Sequence, residues 1–187
     1  MNETIAHLNR SSTPAAALAE PAPDDAQLRQ ILEVALTAPD HGRLRPYRFI
    51  TIRGEARYKL SDLFGRAVQQ REPDVDAAYL QKQQDKPLRS PLIVVVVASL
   101  VDSPKVPEIE QMLSAGAAAH NILLASKALG FGSIWLTGAN AYDPFVCDEL
   151  GLAENERIIG FVYLGTPTLE IPARELPDAV DFLTKWE

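Results

Sequence analysis

Cysteine and histidine are scarce in this chain: one cysteine, Cys147, and three histidines, His7, His41 and His120, far apart in sequence. A lone thiol excludes an intrachain disulfide and any site built on several cysteines, so a cytoplasmic protein is expected. No HExxH or CxxC spacing occurs, and no metal site is expected. Basic residues are also in deficit, 18 Lys and Arg against 25 Asp and Glu, for a formal net charge of −7. No basic stripe with interleaved aromatics is present, which argues against nucleic acid or an anionic membrane as partner. Long apolar runs are missing as well. The longest helix candidate, 107–129, carries Glu108, Glu110, Gln111, His120, Asn121 and Lys127, so no membrane span is expected. The opening MNETIAHLNRSS has neither a basic start nor an apolar stretch, and no signal peptide is expected. A GxSxG elbow is absent, and Cys147 lies in an amphipathic stretch without a catalytic signature, which suits a small core residue.

The 187 residues, 47% of them hydrophobic, suffice for one domain with a core. Its elements follow from pattern. In PAPDDAQLRQILEVALTAP, Asp24 is placed to cap with Gln27, Leu28, Ile31, Leu32, Ala35 and Leu36 share a helical face, and Pro39 ends the run. YRFITIRG alternates and predicts a strand from Tyr47 to Arg53. Two polar-faced helices are expected over 55–70 and 74–85, with Asp74 as a cap for the second. SPLIVVVVASL is an unbroken β-branched run, which fits a central strand covered on both faces. A helix with Pro107 in its first turn then runs to Gly130, and its middle, LSAGAAAHNILLASKAL, is small or apolar nearly all round. GFGSIWLTGA predicts a turn and short strand, DPFVCDELGL a short helix, and ERIIGFVYLGTP another strand. Together they describe an α/β or α+β sandwich. The tail, 168–187, is too apolar for simple disorder yet cannot form a core, so it reads as an arm lying on another surface such as a second subunit.

Three stretches invite a functional reading, each with a plain structural alternative. Arg10 beside Ser11 and Ser12 offers a guanidinium and hydroxyls suited to phosphate, while a solvated chain end accounts for the same residues. GFGSIWLTG follows a helix and precedes an extended segment, the reverse of a dinucleotide-binding loop, so a helix cap and tight turn explain its glycines. APDHGRLRPYRF, residues 38–49, is basic and elaborate for a connection, and it fits either a ligand loop or a solvated one.

In order, NRSS, LAEPAPDDAQLRQILEVALTAPDHGRLRPYRFITIRGEAR, KVPEIEQMLSAGAAAHNILLASKALGFGSIWLTGA and ERIIGFVYLGTP resemble the nitroreductase family of FMN-dependent NAD(P)H oxidoreductases, in its compact YdjA-like branch. The resemblance runs from Ile5 to about Pro167. It implies an α+β fold, a three-layer α/β/α sandwich with a mainly antiparallel sheet. It also implies a homodimer interlocked over the long central helices, a C-terminal arm exchanged between subunits, and FMN sites at the interface built from both chains. Residue by residue, it implies that Arg10, Ser11 and Ser12 hold the ribityl phosphate. Thr37 and His41 then lie at the flavin, and Trp135, Leu136 and Thr137 line it largely through backbone. This chain departs from the pattern: Ser11, Thr37 and Leu136 stand where relatives can carry arginine, Arg45 replaces a glutamine and Tyr47 a tryptophan. Either Arg43, Arg45 and Arg48 restore the missing charge, or they face solvent. The implied activity is ping-pong hydride transfer from NADH or NADPH to a nitro or related electron-poor small molecule, with no catalytic side chain required. Other flavin chemistry and a non-catalytic flavin-binding dimer are the alternatives.

Overall fold

The computed structural model describes residues 12–172 and 175–186. Its strands are β1 (Leu18–Ala19), β2 (Tyr47–Arg53), β3 (Leu92–Ser99), β4 (Gly132–Leu136) and β5 (Glu156–Pro167). Its helices are α1 (Asp25–Ala35), α2 (Ala56–Arg71), α3 (Ala77–Gln84), α4 (Glu108–Ala128) and α5 (Pro144–Glu149). Every strand pairing is antiparallel. β3 lies between β2 and β5, while β4 and β1 follow one another along the far edge of β5.

The unbroken apolar run of β3 is explained by burial on both faces. Leu92, Val94, Val96 and Ala98 point into a core shared with Leu28 and Ile31 of α1 and Ala115, Ala118 and Ile122 of α4. Ile93, Val95 and Val97 point into a second core with Leu60, Leu63 and Phe64 of α2 and Val146 of α5. With period-2 alternation and no solvent-facing side, every β3 position is selected for apolar character. Two cores separated by one antiparallel sheet make the expected three-layer α/β/α sandwich of the α+β class.

Local signals set the helix ends. Asp24 accepts from Gln27 N at 2.8 Å while the Gln27 side chain accepts from Asp24 N at 3.0 Å, a reciprocal cap for α1. At the end of α4, Gly130 (φ +85°) takes the left-handed position, with Gly130 N donating to Lys127 O and Phe131 N to Ser126 O. Two boundaries differ from expectation. Asp76, not Asp74, caps α3 by accepting from Tyr79 N, so that helix starts at Ala77. Pro107 is the residue before α4, extended at ψ 152°, rather than part of its first turn. Cys147 is half-buried against the second core.

The tail contributes one short turn, Ala179–Phe182, and leaves Leu176, Val180, Phe182, Leu183 and Trp186 exposed. Ile109 and Leu113 on α4 are likewise about two-thirds uncovered, at 61% and 65%.

Candidate functional site

β4 carries the site. Its start is tied to the N-terminal segment, because Thr13 N donates to Ser133 O at 3.1 Å and so brings Ser12 to that end of the strand. Arg10 and Ser11 lie outside the described residues. Further along, the Trp135 indole N–H donates to Ile159 O at 3.2 Å, and its ring fills the space above Gly116 of α4 and Gly160 of β5. A side chain at Gly160 would collide with the Trp135 ring and with Leu136 O, so glycine is required for the two strands to hold the indole between them. Leu136 and Thr137 then emerge at the surface, and Gly138 (φ +89°) turns the chain into a short 139–141 turn.

This segment borders a cavity of about 410 Å³. One wall is Leu136, Thr137, Gly138 and Asn140. Phe64, Phe161 and Tyr163 form an aromatic floor, with Phe64 and Phe161 edge to face at 5.4 Å. Burial pushes the Tyr163 hydroxyl up to about 12. Arg71, Tyr79, Gln83 and Lys86 form the polar side. Arg71 donates to Asn140 Oδ1 at 2.7 Å and also to Asp143 Oδ2, and Asp143 in turn accepts from Phe145 N at 2.8 Å to cap α5. Asn140 and Asp143 are buried, so this bidentate arginine fastens the 137–143 segment to α2. Lys86 is held below the ordinary lysine value, first by burial and then by the positive charges of Arg89, Lys82 and Arg71.

Thr37 and His41 occupy a second place. Thr37 Oγ1 donates to Val34 O at 2.7 Å and accepts from Asn121 Nδ2 at 3.4 Å, while His41 Nδ1 lies 2.6 Å from Glu110 Oε2. Both therefore sit along the exposed side of α4, where Pro39, Asp40, His41, Leu113 and Ala117 line a shallow hollow of about 370 Å³. Within one chain, no hydrogen bond or ion pair among the described residues joins them to Trp135, Leu136 or Thr137.

The 38–49 loop separates its three arginines. Arg48 is committed to structure: it donates to both Glu156 carboxylate oxygens at 2.7 and 2.6 Å and to Gly151 O at 3.1 Å. Its charge is matched by Glu156. Arg43 and Arg45 are exposed and both adopt left-handed backbone, φ 57° and 49°. Asp40 stabilises that bend by accepting from Leu44 N and Arg45 N. Sequence reasoning missed Arg71, Gln83, Lys86, Asn140 and Asp143, which come from three separate stretches and carry no local motif.

The model of the nitroreductase family matches residues 9–166. The chain belongs to the nitroreductase family. Among family relatives, a protein of Escherichia coli K12 named as an NAD(P)H nitroreductase, YdjA, is 40% identical over 178 residues, covering 95% of each chain. The family fold recurs in the nitroreductase-like protein of Bacillus cereus, with a TM-score of 0.85 at 23% identity over 100% of this chain and 98% of that one. It recurs too in a nitroreductase from Desulfovibrio desulfuricans described in complex with FMN, with a TM-score of 0.74 at 21% identity, covering 100% and 98%.

Proposed function

We propose that this chain is an FMN-dependent oxidoreductase that uses NADH or NADPH to reduce nitro or related electron-poor small molecules. The family membership supports the reaction class, and the cavity where β4 ends is the observation that carries the site. Its features fit a flavin: aromatic residues for a flat ring, exposed backbone at Leu136 to Gly138 for a ring edge, and positive charge from Arg71 and Lys86 in the lining. When bound, FMN supplies the hydride chemistry, accepting from the nicotinamide and delivering to the acceptor in alternating half-reactions.

The residues of this chain do the holding and orienting. Arg10, Ser11 and Ser12 secure the phosphate, a role supported for Ser12 by the bond that ties its neighbour Thr13 to the start of β4. Trp135, clamped between Gly116 and Gly160, fixes the strand so that Leu136 and Thr137 present their backbone at the ring. Arg71 holds the following turn against α2, which keeps that backbone from loosening. Thr37 and His41 complete the site of a second copy, an arrangement supported by their place along the exposed side of α4, His41 beside Leu113 and Thr37 beside Asn121. The exposed Leu176, Val180, Phe182, Leu183 and Trp186 of the tail support an exchanged arm in the same dimer. The described helices include none long and apolar enough to cross a membrane.

Reconstitution with FMN tests the reading. The protein should turn yellow and bleach anaerobically with NADH or NADPH, and recolour when a nitro compound is added. Colour that neither donor bleaches would replace reduction with flavin binding alone.

A further inference from the structure

Arg43 and Arg45 are exposed, and neither guanidinium makes a hydrogen bond or ion pair among the described residues. The two nearest carboxylates of the loop and its hollow are already engaged. Asp40 accepts from Leu44 N at 3.1 Å with Oδ1 and from Arg45 N at 2.7 Å with Oδ2, while Glu110 Oε2 lies 2.6 Å from His41 Nδ1. Two donor forks on one short loop thus stay open, in a molecule whose net charge is −7. The backbone that carries them is fixed and unusual. Arg43 (φ 57°) and Arg45 (φ 49°) both take the left-handed conformation that side chains rarely adopt, beside Gly42 at φ 76°. Arg43 N also donates to Asp40 O at 3.3 Å, so Asp40 gathers three successive amides and holds the bend. Glycine or asparagine would adopt this backbone more readily than arginine. A solvated connection gives no reason for arginine at both strained positions, whereas an anion received by both does.

We propose that Arg43 and Arg45 bind the 2′-phosphate of NADPH and so make this chain select NADPH over NADH. The inference rests on the proposed function, which sets His41, two residues before Arg43, at the flavin of a second copy. The two donors differ only by that phosphate monoester, which is close to doubly charged at neutral pH and whose oxygens match the planar fork of a guanidinium. The phosphate of FMN is given to Arg10, Ser11 and Ser12 by the same reading, which leaves the loop arginines for the dinucleotide. Its nicotinamide has to reach the flavin ring, so its adenosine end extends outward, where exposed cations on a fixed loop meet it already oriented.

The test reads binding without turnover. Adenosine 2′,5′-bisphosphate and adenosine 5′-monophosphate, the adenosine ends of NADPH and NADH, are titrated by calorimetry into FMN-loaded and apo full-length protein. Wild type is compared with Arg43→Asn, Arg45→Asn and the double variant, since asparagine removes the charge and accepts left-handed backbone. Thermal melting confirms that each variant is folded. Wild type should bind the bisphosphate at least tenfold more tightly than the monophosphate. That ratio should fall below threefold in the double variant, lie between in each single variant, and recover in part when both positions are Arg→Lys. In turnover, the loss should appear in KM for NADPH rather than in kcat. Equal binding of the two nucleotides by wild type, or a ratio that survives in the double variant, overturns the proposal. A double variant that loses FMN yet keeps the ratio also overturns it, by moving the arginines to the phosphate of the cofactor. Failure of wild type to bind FMN at all would instead overturn the proposed function, and the apoprotein titration would still decide the arginines.

Discussion

Arg48 on β2 and Glu156 on β5 join hands across the central strand, with Arg48 Nε and Nη2 reaching the two carboxylate oxygens at 2.7 and 2.6 Å. Ser99 at the end of β3 donates to the same carboxylate at 2.6 Å. Three neighbouring strands are thereby fastened at one end, and an arginine that sequence alone offered to the cofactor is taken up by the sheet.

That pair has a stability signature. The Glu156 carboxyl is held down to about 2, chiefly by hydrogen bonding from Arg48, against an ordinary value of 4.5. A depressed folded-state value means that the stabilisation is complete above the ordinary value and is lost as pH falls toward about 2. Glu156→Gln should cost about 1–2 kcal/mol at neutral pH, discounted because Arg48 is partly exposed. The gap from wild type in urea unfolding should close as pH falls through that window. FMN affinity should be unchanged, since Arg48 is committed to Glu156 and Gly151 O.

Gly160→Ala tests the Trp135 clamp. The added methyl would overlap the indole and crowd Leu136 O, and overpacking of this kind costs about 1–3 kcal/mol. Because the displaced atoms belong to β4, FMN affinity should fall together with the melting temperature. A variant that loses stability but binds FMN normally would separate β4 from the cofactor.

The link between His41 and Glu110 is exposed on both sides, at 59% and 43%, and such pairs contribute little to folding. Glu110→Ala should change stability by less than about 1 kcal/mol. His41→Ala should be equally mild in unfolding yet lower FMN retention on dilution, if His41 serves the partner's site.

Leu113→Glu places charge in the middle of the exposed apolar side of α4. Light scattering after size exclusion should show wild type as a dimer and the variant shifted to monomer. A dimer that survives this change would move the interface away from α4.

Arg10→Ala should lower FMN retention more than it lowers the melting temperature. Stoichiometric FMN kept by the diluted variant would remove Arg10 from the phosphate site.

Much of this was legible residue by residue. The capping pair Asp24 and Gln27, the strand limits Tyr47–Arg53 and Glu156–Pro167, and Gly130 as a helix stop all rest on contacts within a few residues, which sequence displays directly. The cap at Asp76 in place of Asp74 shows the limit of that reading, for several neighbouring acids can serve and the packing of α3 chooses one. The family motifs led to Trp135, Leu136 and Thr137, and the fold places Leu136 and Thr137 at a cavity while the Trp135 ring packs against Gly116 and Gly160.

Sequence by itself thus determined the order and type of the elements, the doubly buried central strand and the family, because each depends on short-range periodicity or on motifs in linear register. Tertiary structure decided which charges are free. Arg48 is spent on Glu156, Arg71 is shared with Asn140 and Asp143, and Lys86 is left facing the cavity. Nothing in linear order predicts those fates, because each is set by a partner 69 to 108 positions away or by having none among the described residues. Electrostatic availability is a property of what folding brings within a few ångströms, and only the packed chain specifies it.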